Sequence, residues 1–190
     1  MSRTYTESKQ FSKTDFTVSN PPTGDYEDCD FVQCDLSGMD LSGINFTDCR
    51  FNECNLSNAK LLNTTFNGAK FSQCKMTGVH FSDCNKVIFD AGFTDCRLDL
   101  ASFYKLKMKK TVFRSCQLQE ADMTEADLTE AVFDTCDLTG TVFDQTHLEK
   151  ADLRTATGYS IDPERNQIRK AKVALDGLPG LLIKYDLRIG

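Results

Sequence analysis

Residues 29–58 read CDFVQ CDLSG MDLSG INFTD CRFNE CNLSN, and the middle residue of every group of five is Phe or Leu. The rule runs without a gap from Phe31 to Phe81, with Met76 the one methionine among its centres. It resumes, shifted by two residues, at Phe93 and continues to Leu153. All 24 sites carry Phe, Leu or Met, which together form about a fifth of the chain, so chance would fill about five. A period of five matches neither an α-helix nor a flat strand. A backbone with a strict five-residue unit therefore fixes the fold.

Within each unit the residue two places before the centre is also small or apolar. All nine cysteines fall in that slot: Cys29, Cys34, Cys49, Cys54, Cys74, Cys84, Cys96, Cys116 and Cys136. In other units Ala or Thr fills it, as at Ala59, Ala101, Ala121, Thr64 and Thr141. A free cysteine packs as a small hydrophobe, so these thiols read as structural. Their number is odd and no C-x-x-C pair offers zinc spacing. Reduced thiols fit a cytoplasmic compartment.

Centre and slot point inward as alternate residues of a short extended piece. The residue between them is mostly polar, as at Asp30, Asp35, Asn55 and Lys70. After each centre come turn formers, such as Ser37-Gly38, Ser42-Gly43, Asn67-Gly68 and Thr139-Gly140. Each unit is thus one side plus one corner. Cys34, Cys54 and Cys74 recur at intervals of 20, as do Phe93, Phe113 and Phe133. Four units per turn stack like on like, giving an all-β solenoid of about six coils, about 30 Å long.

The units Cys29-Asp30-Phe31, Ala126-Asp127-Leu128, Cys136-Asp137-Leu138 and Ala151-Asp152-Leu153 resemble those of pentapeptide repeat proteins. The resemblance implies a right-handed quadrilateral β-helix. Three regions follow: a lead-in or cap over 1–24, the repeat solenoid over 25–157, and a cap and dimerisation segment over 158–190.

Two places break the pattern. Between Phe81 and Phe93 the gap is 12 residues rather than 10. Lys86 would be a poor core residue, whereas Ile88 already obeys the second phase. Two extra residues therefore bulge near 84–90, with Asn85, Lys86, Val87 and Phe89 as the candidate bulge. The bulge reads either as an insertion tolerated at a turn or as a projecting contact. Phe89 belongs to neither phase and is expected to lie partly exposed or to plug the bulge. The second break is the tail, where 176–185 reads as a short helix and 187–189 as a small strand. A solenoid end needs a cap or a partner.

The tail narrows the resemblance. Ile161-Asp162-Pro163 with Asn166 and Ile168, followed by Leu181-Leu182-Ile183-Lys184 and Leu187-Arg188-Ile189, looks like the endings of the quinolone-resistance (Qnr) and microcin- and albicidin-immunity members. Phe11-Ser12-Lys13-Thr14-Asp15-Phe16 resembles their first units. The resemblance implies a tail-to-tail homodimer through Leu178, Leu181, Leu182, Ile183, Tyr185, Leu187 and Ile189. It further implies a DNA-mimicking partner of a type II topoisomerase, DNA gyrase or topoisomerase IV, which shields that enzyme from poisons. Many Qnr proteins carry long projecting loops, whereas no interruption here exceeds a couple of residues.

Surface charge is the remaining signal. Net charge is −6. The segment 119–152 holds ten acids against Lys150 alone. Glu120, Asp122, Glu125, Asp127, Glu130, Asp134, Asp137 and Asp144 are the candidate partner-binding acids. The segment 97–114 carries Arg97, Lys105, Lys107, Lys109, Lys110 and Arg114 against Asp99. The acids read either as solvation and turn chemistry or as charge presented where a DNA-binding protein expects phosphates. No catalytic constellation, phosphate loop or metal motif is legible, so neither an enzyme nor a cofactor is expected. No apolar run is long enough to span a bilayer, and residues 1–20 lack a signal core. The alternative to topoisomerase binding is a scaffold for an unrelated protein.

Overall fold

A computed structural model describes residues 4–16 and 24–188. The chain winds into a right-handed, four-sided parallel β-helix of about six coils. Stacked coils pair in register at intervals of 20 residues: Phe11 on Phe31, Phe31 on Phe51, Phe51 on Phe71. Face 1 carries these phenylalanines and continues through Phe93, Phe113 and Phe133. Its strands are β2 (Gln10–Ser12), β4 (Asp30–Val32), β6 (Arg50–Asn52), the second half of β7 (Thr65–Ser72), the end of β8 (Phe89–Thr94), β9 (Val112–Arg114) and β10 (Val132–Asp134). Face 2 has centres Leu36 to Leu138, and face 3 has Leu41 to Phe143. Both are joined by single bridges such as Asp35 to Asn55 and Asp40 to Lys60. Face 4 carries Tyr26, Phe46 and Phe66 on β3 (Gly24–Glu27), β5 (Asn45–Thr47) and the first half of β7. The first strand, β1 (Thr4–Glu7), pairs with β3.

The corners explain the five-residue unit. The second residue after a centre is left-handed at nearly every corner, whether Gly38, Asn58, Leu100, Glu120 or Lys150. Many corners are β-turns closed from the third residue after the centre back to it, as in Met39 N to Leu36 O at 3.2 Å and Ala121 N to Leu118 O at 3.1 Å. A left-handed third turn position suits Gly or Asn. The sequence meets it with Gly in several units and accepts backbone strain in others.

Inside, the faces fill one another's space. The face 1 rings stack as a ladder, with centroids 4.7 Å apart for Phe31–Phe51, 4.8 Å for Phe51–Phe71 and 5.1 Å for Phe113–Phe133. All nine cysteines are buried and free. Burial pushes the Cys49 thiol up to about 12.

The bulge corrects one expectation. Asn85 still pairs with the coil above, Nδ2 donating to Thr65 Oγ1 at 3.2 Å, and Ala91 pairs with Ala69. The two extra residues therefore lie between Asn85 and Ala91. The Asn85 side chain accepts from Val87 N at 3.1 Å and Ile88 N at 3.4 Å, which pins the turn. Ile88, expected in phase, is instead 46% exposed. Phe89 takes the inward place beside Phe66, edge-on to Phe66 and Phe81. Turning inward, Phe89 brings the larger apolar side chain against two rings and leaves the smaller Ile88 outside.

Beyond Leu153 the backbone ladder continues, with bridges from His147 to Gln167 and Asp152 to Lys172. Asn166 closes the lower end. Its Oδ1 accepts from Thr146 N at 2.9 Å, and its Nδ2 donates to Phe143 O and Asp162 O, both at 3.0 Å. Two 3-10 turns flank a single helical turn, α1 (Pro179–Leu182). Gly180 O accepts from Ile161 N at 2.9 Å, which docks the turn on the last coil. The small strand expected at 187–189 does not form over Leu187 and Arg188, and Ile189 lies outside the described residues.

Candidate partner-binding surface

The repeat sets where each candidate acid stands. Asp134 lies on face 1, Asp137 on face 2, Asp122 and Asp144 on face 3, and Asp127 on face 4. Glu120, Glu125 and Glu130 occupy left-handed corner positions. The eight acids therefore girdle the rod rather than share one face. The reason is the period: acids five apart in sequence advance one face per step.

Stacking also brings the basic stretch against these acids. Lys105 Nζ lies 3.3 Å from Glu125, Lys109 Nζ 3.3 Å from Asp127, and Arg114 Nε 3.2 Å from Asp134. Glu130 sits between Lys150 at 2.9 Å and Lys110 at 4.0 Å. Arg165 reaches Asp144 at 2.7 Å. Five of the eight are thus ion-paired, while Glu120, Asp122 and Asp137 have no ion pair among the described residues. Sequence reading separated a basic belt from an acidic half, but an offset of about 20 residues makes the two stretches stacked neighbours.

A second acidic band went unnoticed in the sequence. Residues 24–53 carry Asp25, Glu27, Asp28, Asp30, Asp35, Asp40, Asp48 and Glu53 against Arg50 alone. Arg50 is forked onto Asp28 at 3.0 Å and Asp30. Counting charge by coil rather than by longest acidic run would have found this band.

Turn chemistry keeps several of these carboxylates ionised. Asp35 is held below the usual carboxylate range by the Ser37 side chain and backbone N–H, and Asp40 likewise by Ser42. Thr139, with Gln119, does the same for Asp137. Asp127 is raised by burial, but Thr129 and Lys109 together hold it low.

The bulge projects Val87, 91% exposed, with Lys86 Nζ 5.9 Å from the centre of the Tyr104 ring. At the lower end Leu178, Ile183, Tyr185 and Leu187 are exposed, while Leu181 and Leu182 are half-buried. Leu175, 87% exposed, adjoins them and was not among the expected interface residues. Among the described residues no cluster of three or more side chains could hold a metal ion. No helix there is long and apolar enough to cross a membrane.

The sequence model of a family described as "Pentapeptide repeat region" matches residues 25–87 and 86–157. Structures of two trypsin-treated variants of QnrB1, a plasmid-mediated fluoroquinolone resistance protein, superpose with TM-scores of 0.65 and 0.71, each at 17% identity. The first match covers 99% of this chain and 98% of the other, and the second covers 98% and 92%. HetL, a pentapeptide repeat protein involved in heterocyst differentiation regulation from the cyanobacterium Nostoc sp. strain PCC 7120, gives a TM-score of 0.66 at 15% identity, covering 91% of this chain and 87% of HetL. At these identities the likeness is one of fold. No curated protein sequence matches the chain.

Proposed function

Since the chain belongs to the pentapeptide repeat family, we propose that it is a cytoplasmic, DNA-mimicking protein that binds a type II topoisomerase, DNA gyrase or topoisomerase IV, and protects it from inhibitors such as fluoroquinolones or peptide toxins. The observation that carries the reading is the pair of carboxylate bands, residues 24–53 and 119–152, on a rod filled by its own side chains. Such an object acts through its exterior and performs no catalysis. Regularly spaced carboxylates held ionised by their turns offer a phosphate-like field to a basic groove. Glu120, Asp122 and Asp137 lead that contact, because no lysine or arginine among the described residues is ion-paired with them. The Asn85–Phe89 bulge adds one apolar projection. The exposed apolar side chains of the tail form the homodimer, whose two-fold axis suits a two-fold enzyme. QnrB1, which has the same fold, is a fluoroquinolone resistance protein.

A supercoiling titration with and without a fluoroquinolone tests the reading. Protection at stoichiometric excess is expected, with binding that weakens steeply as salt rises. Unchanged gyrase activity and drug sensitivity at many-fold excess would sink it. One observation favours a scaffold for an unrelated protein: five of the eight candidate acids are already paired with cations. Affinity capture from a bacterial lysate separates the readings, since enrichment of topoisomerase subunits supports only the first.

A further inference from the structure

Among the described residues, Tyr159 is the only side chain more than nine-tenths buried that holds an oxygen or nitrogen without a hydrogen-bond partner. It is 5% exposed, and its hydroxyl meets neither a donor nor an acceptor. Phenylalanine would bring the same ring without that orphan, and the chain uses buried phenylalanine freely, as at Phe113 and Phe133. An unpaired buried hydroxyl costs stability, so it calls for a partner that the chain itself does not supply.

The hydroxyl lies against Gly177, where a Cβ would collide with it, and Gly180 lies as closely against the Tyr159 carbonyl. Tyr159 and both glycines line a cleft of about 350 Å³ between the last coil and the tail. The hydroxyl therefore stands at the wall of that cleft. Most of the remaining lining is small and apolar, with Ala156, Gly158 and Pro179, and Asp176 brings its single charge. Asp176 is exposed and has no ion pair among the described residues. Burial, and then the Asp176 charge, pushes the Tyr159 phenol up, so it keeps its proton at neutral pH and acts as a donor. No residue from 174 to 188 is fully buried, so the tail wall yields to a ligand at low cost.

We propose that this cleft binds a small organic amine, an apolar ring that bears an ether or carbonyl oxygen at one end and an ammonium at the other. The oxygen accepts from the Tyr159 hydroxyl, which gives the orphan its partner. The ring lies against Ala156 and Pro179, and the ammonium faces Asp176. An anionic ligand could also accept from the hydroxyl, but the Asp176 carboxylate repels it. The cleft falls at the lower end of the usual size of ligand sites, about 300–1,000 Å³, and shares their pattern of apolar walls with few polar groups. Binding makes and breaks no covalent bond. The inference stands apart from the topoisomerase reading, which uses the outer faces of the rod.

The test titrates the full-length protein with para-methoxybenzylamine, followed by calorimetry and by amide NMR shifts. One molecule per chain is expected, with shifts centred on residues 156–159 and 176–180. The analogue para-ethylbenzylamine, which lacks the acceptor, binds about tenfold more weakly. Tyr159→Phe loses that factor for the methoxy probe and leaves the ethyl analogue unchanged, a cycle that isolates the hydrogen bond. Asp176→Asn weakens both amines. Without probe, Tyr159→Phe melts at the wild-type temperature or above it, because the hydroxyl it removes has no partner. The proposal is overturned if the methoxy probe does not bind saturably, if Tyr159→Phe binds it as tightly as wild type, or if para-methoxybenzoate binds as well as the amine. It fails equally if Tyr159→Phe alone melts lower, since a bound water would then already satisfy the hydroxyl.

Discussion

The Arg114 guanidinium donates from Nε to Asp134 Oδ2 at 3.2 Å, one coil below it. The same step joins Lys105 to Glu125 and Lys109 to Asp127. These cations mask acids that a basic partner would otherwise meet. Replacing Lys105, Lys109 and Arg114 with Ala is expected to alter stability by less than about 1 kcal/mol per pair, because exposed ion pairs contribute little. If carboxylates make the contact, the triple variant binds the topoisomerase more tightly and with a steeper salt dependence. Binding measured across a salt series checks this, and a weaker complex would place the belt itself in the interface.

The Phe113 ring lies between Phe93 at 5.2 Å and Phe133 at 5.1 Å and is fully buried. Phe113→Ala is expected to cost about 3–5 kcal/mol, since stacked coils above and below hinder collapse of the cavity. Cys116→Ala, in a slot that Ala fills elsewhere, should cost far less. Urea denaturation of the two variants side by side measures the contrast.

The fold was legible because one period governs Phe31 through Leu153, and a residue's place on the coil follows from its number. Stacking was legible too, through Cys34, Cys54 and Cys74. What escaped were consequences of three-dimensional adjacency. Lys109 and Asp127 lie 18 apart in sequence yet meet across a coil. The choice of Phe89 over Ile88 depended on the ring space beside Phe66 and Phe81, which no local pattern encodes. The tail obeys no period, so its helical turn could be read from residues 176–185 but its missing strand could not.

Acid should loosen the rod by a defined route. The side chains of Ser37, Ser42 and Thr139 hold Asp35, Asp40 and Asp137 below the usual range, and Arg154 brings Asp152 to about 2. A carboxylate with a depressed folded-state pKa contributes stability that is present above its unfolded value of about 3.9 and is lost as pH falls toward the folded value. Stability is therefore expected to hold at pH 5 and above, and to fall from about pH 4 toward pH 2. Asp152→Asn should flatten part of that slope in acid denaturation followed by circular dichroism. A slope identical to wild type would contradict this assignment.

Leu100 stands at a left-handed corner with φ of 60° and its side chain half in solvent. The same column holds Gly38, Asn58, Gly78 and Gly140. A leucine in this conformation is strained, while asparagine tolerates it. Leu100→Asn should raise stability by up to about 1 kcal/mol, read as a higher melting temperature. A lower one would mean that the exposed leucine makes a stabilising contact that outweighs its backbone strain.

The tail prediction needs a variant that leaves the cap intact. Deleting residues 176–190 should yield a monomer, but it also removes Gly180, whose carbonyl accepts from Ile161 N. Loss of the dimer could then follow from a frayed last coil. Ile183 and Leu187 are exposed in the single chain, at 60% and 58%, so Ile183→Glu with Leu187→Glu leaves the coil packing untouched. In a tail-to-tail dimer two such patches meet about a two-fold axis, and each glutamate faces desolvation without a partner. Light scattering is expected to give the dimer mass for the wild-type protein and half of it for the double variant, with the same melting behaviour in dilute solution. Equal masses for the two proteins would remove the tail from the interface.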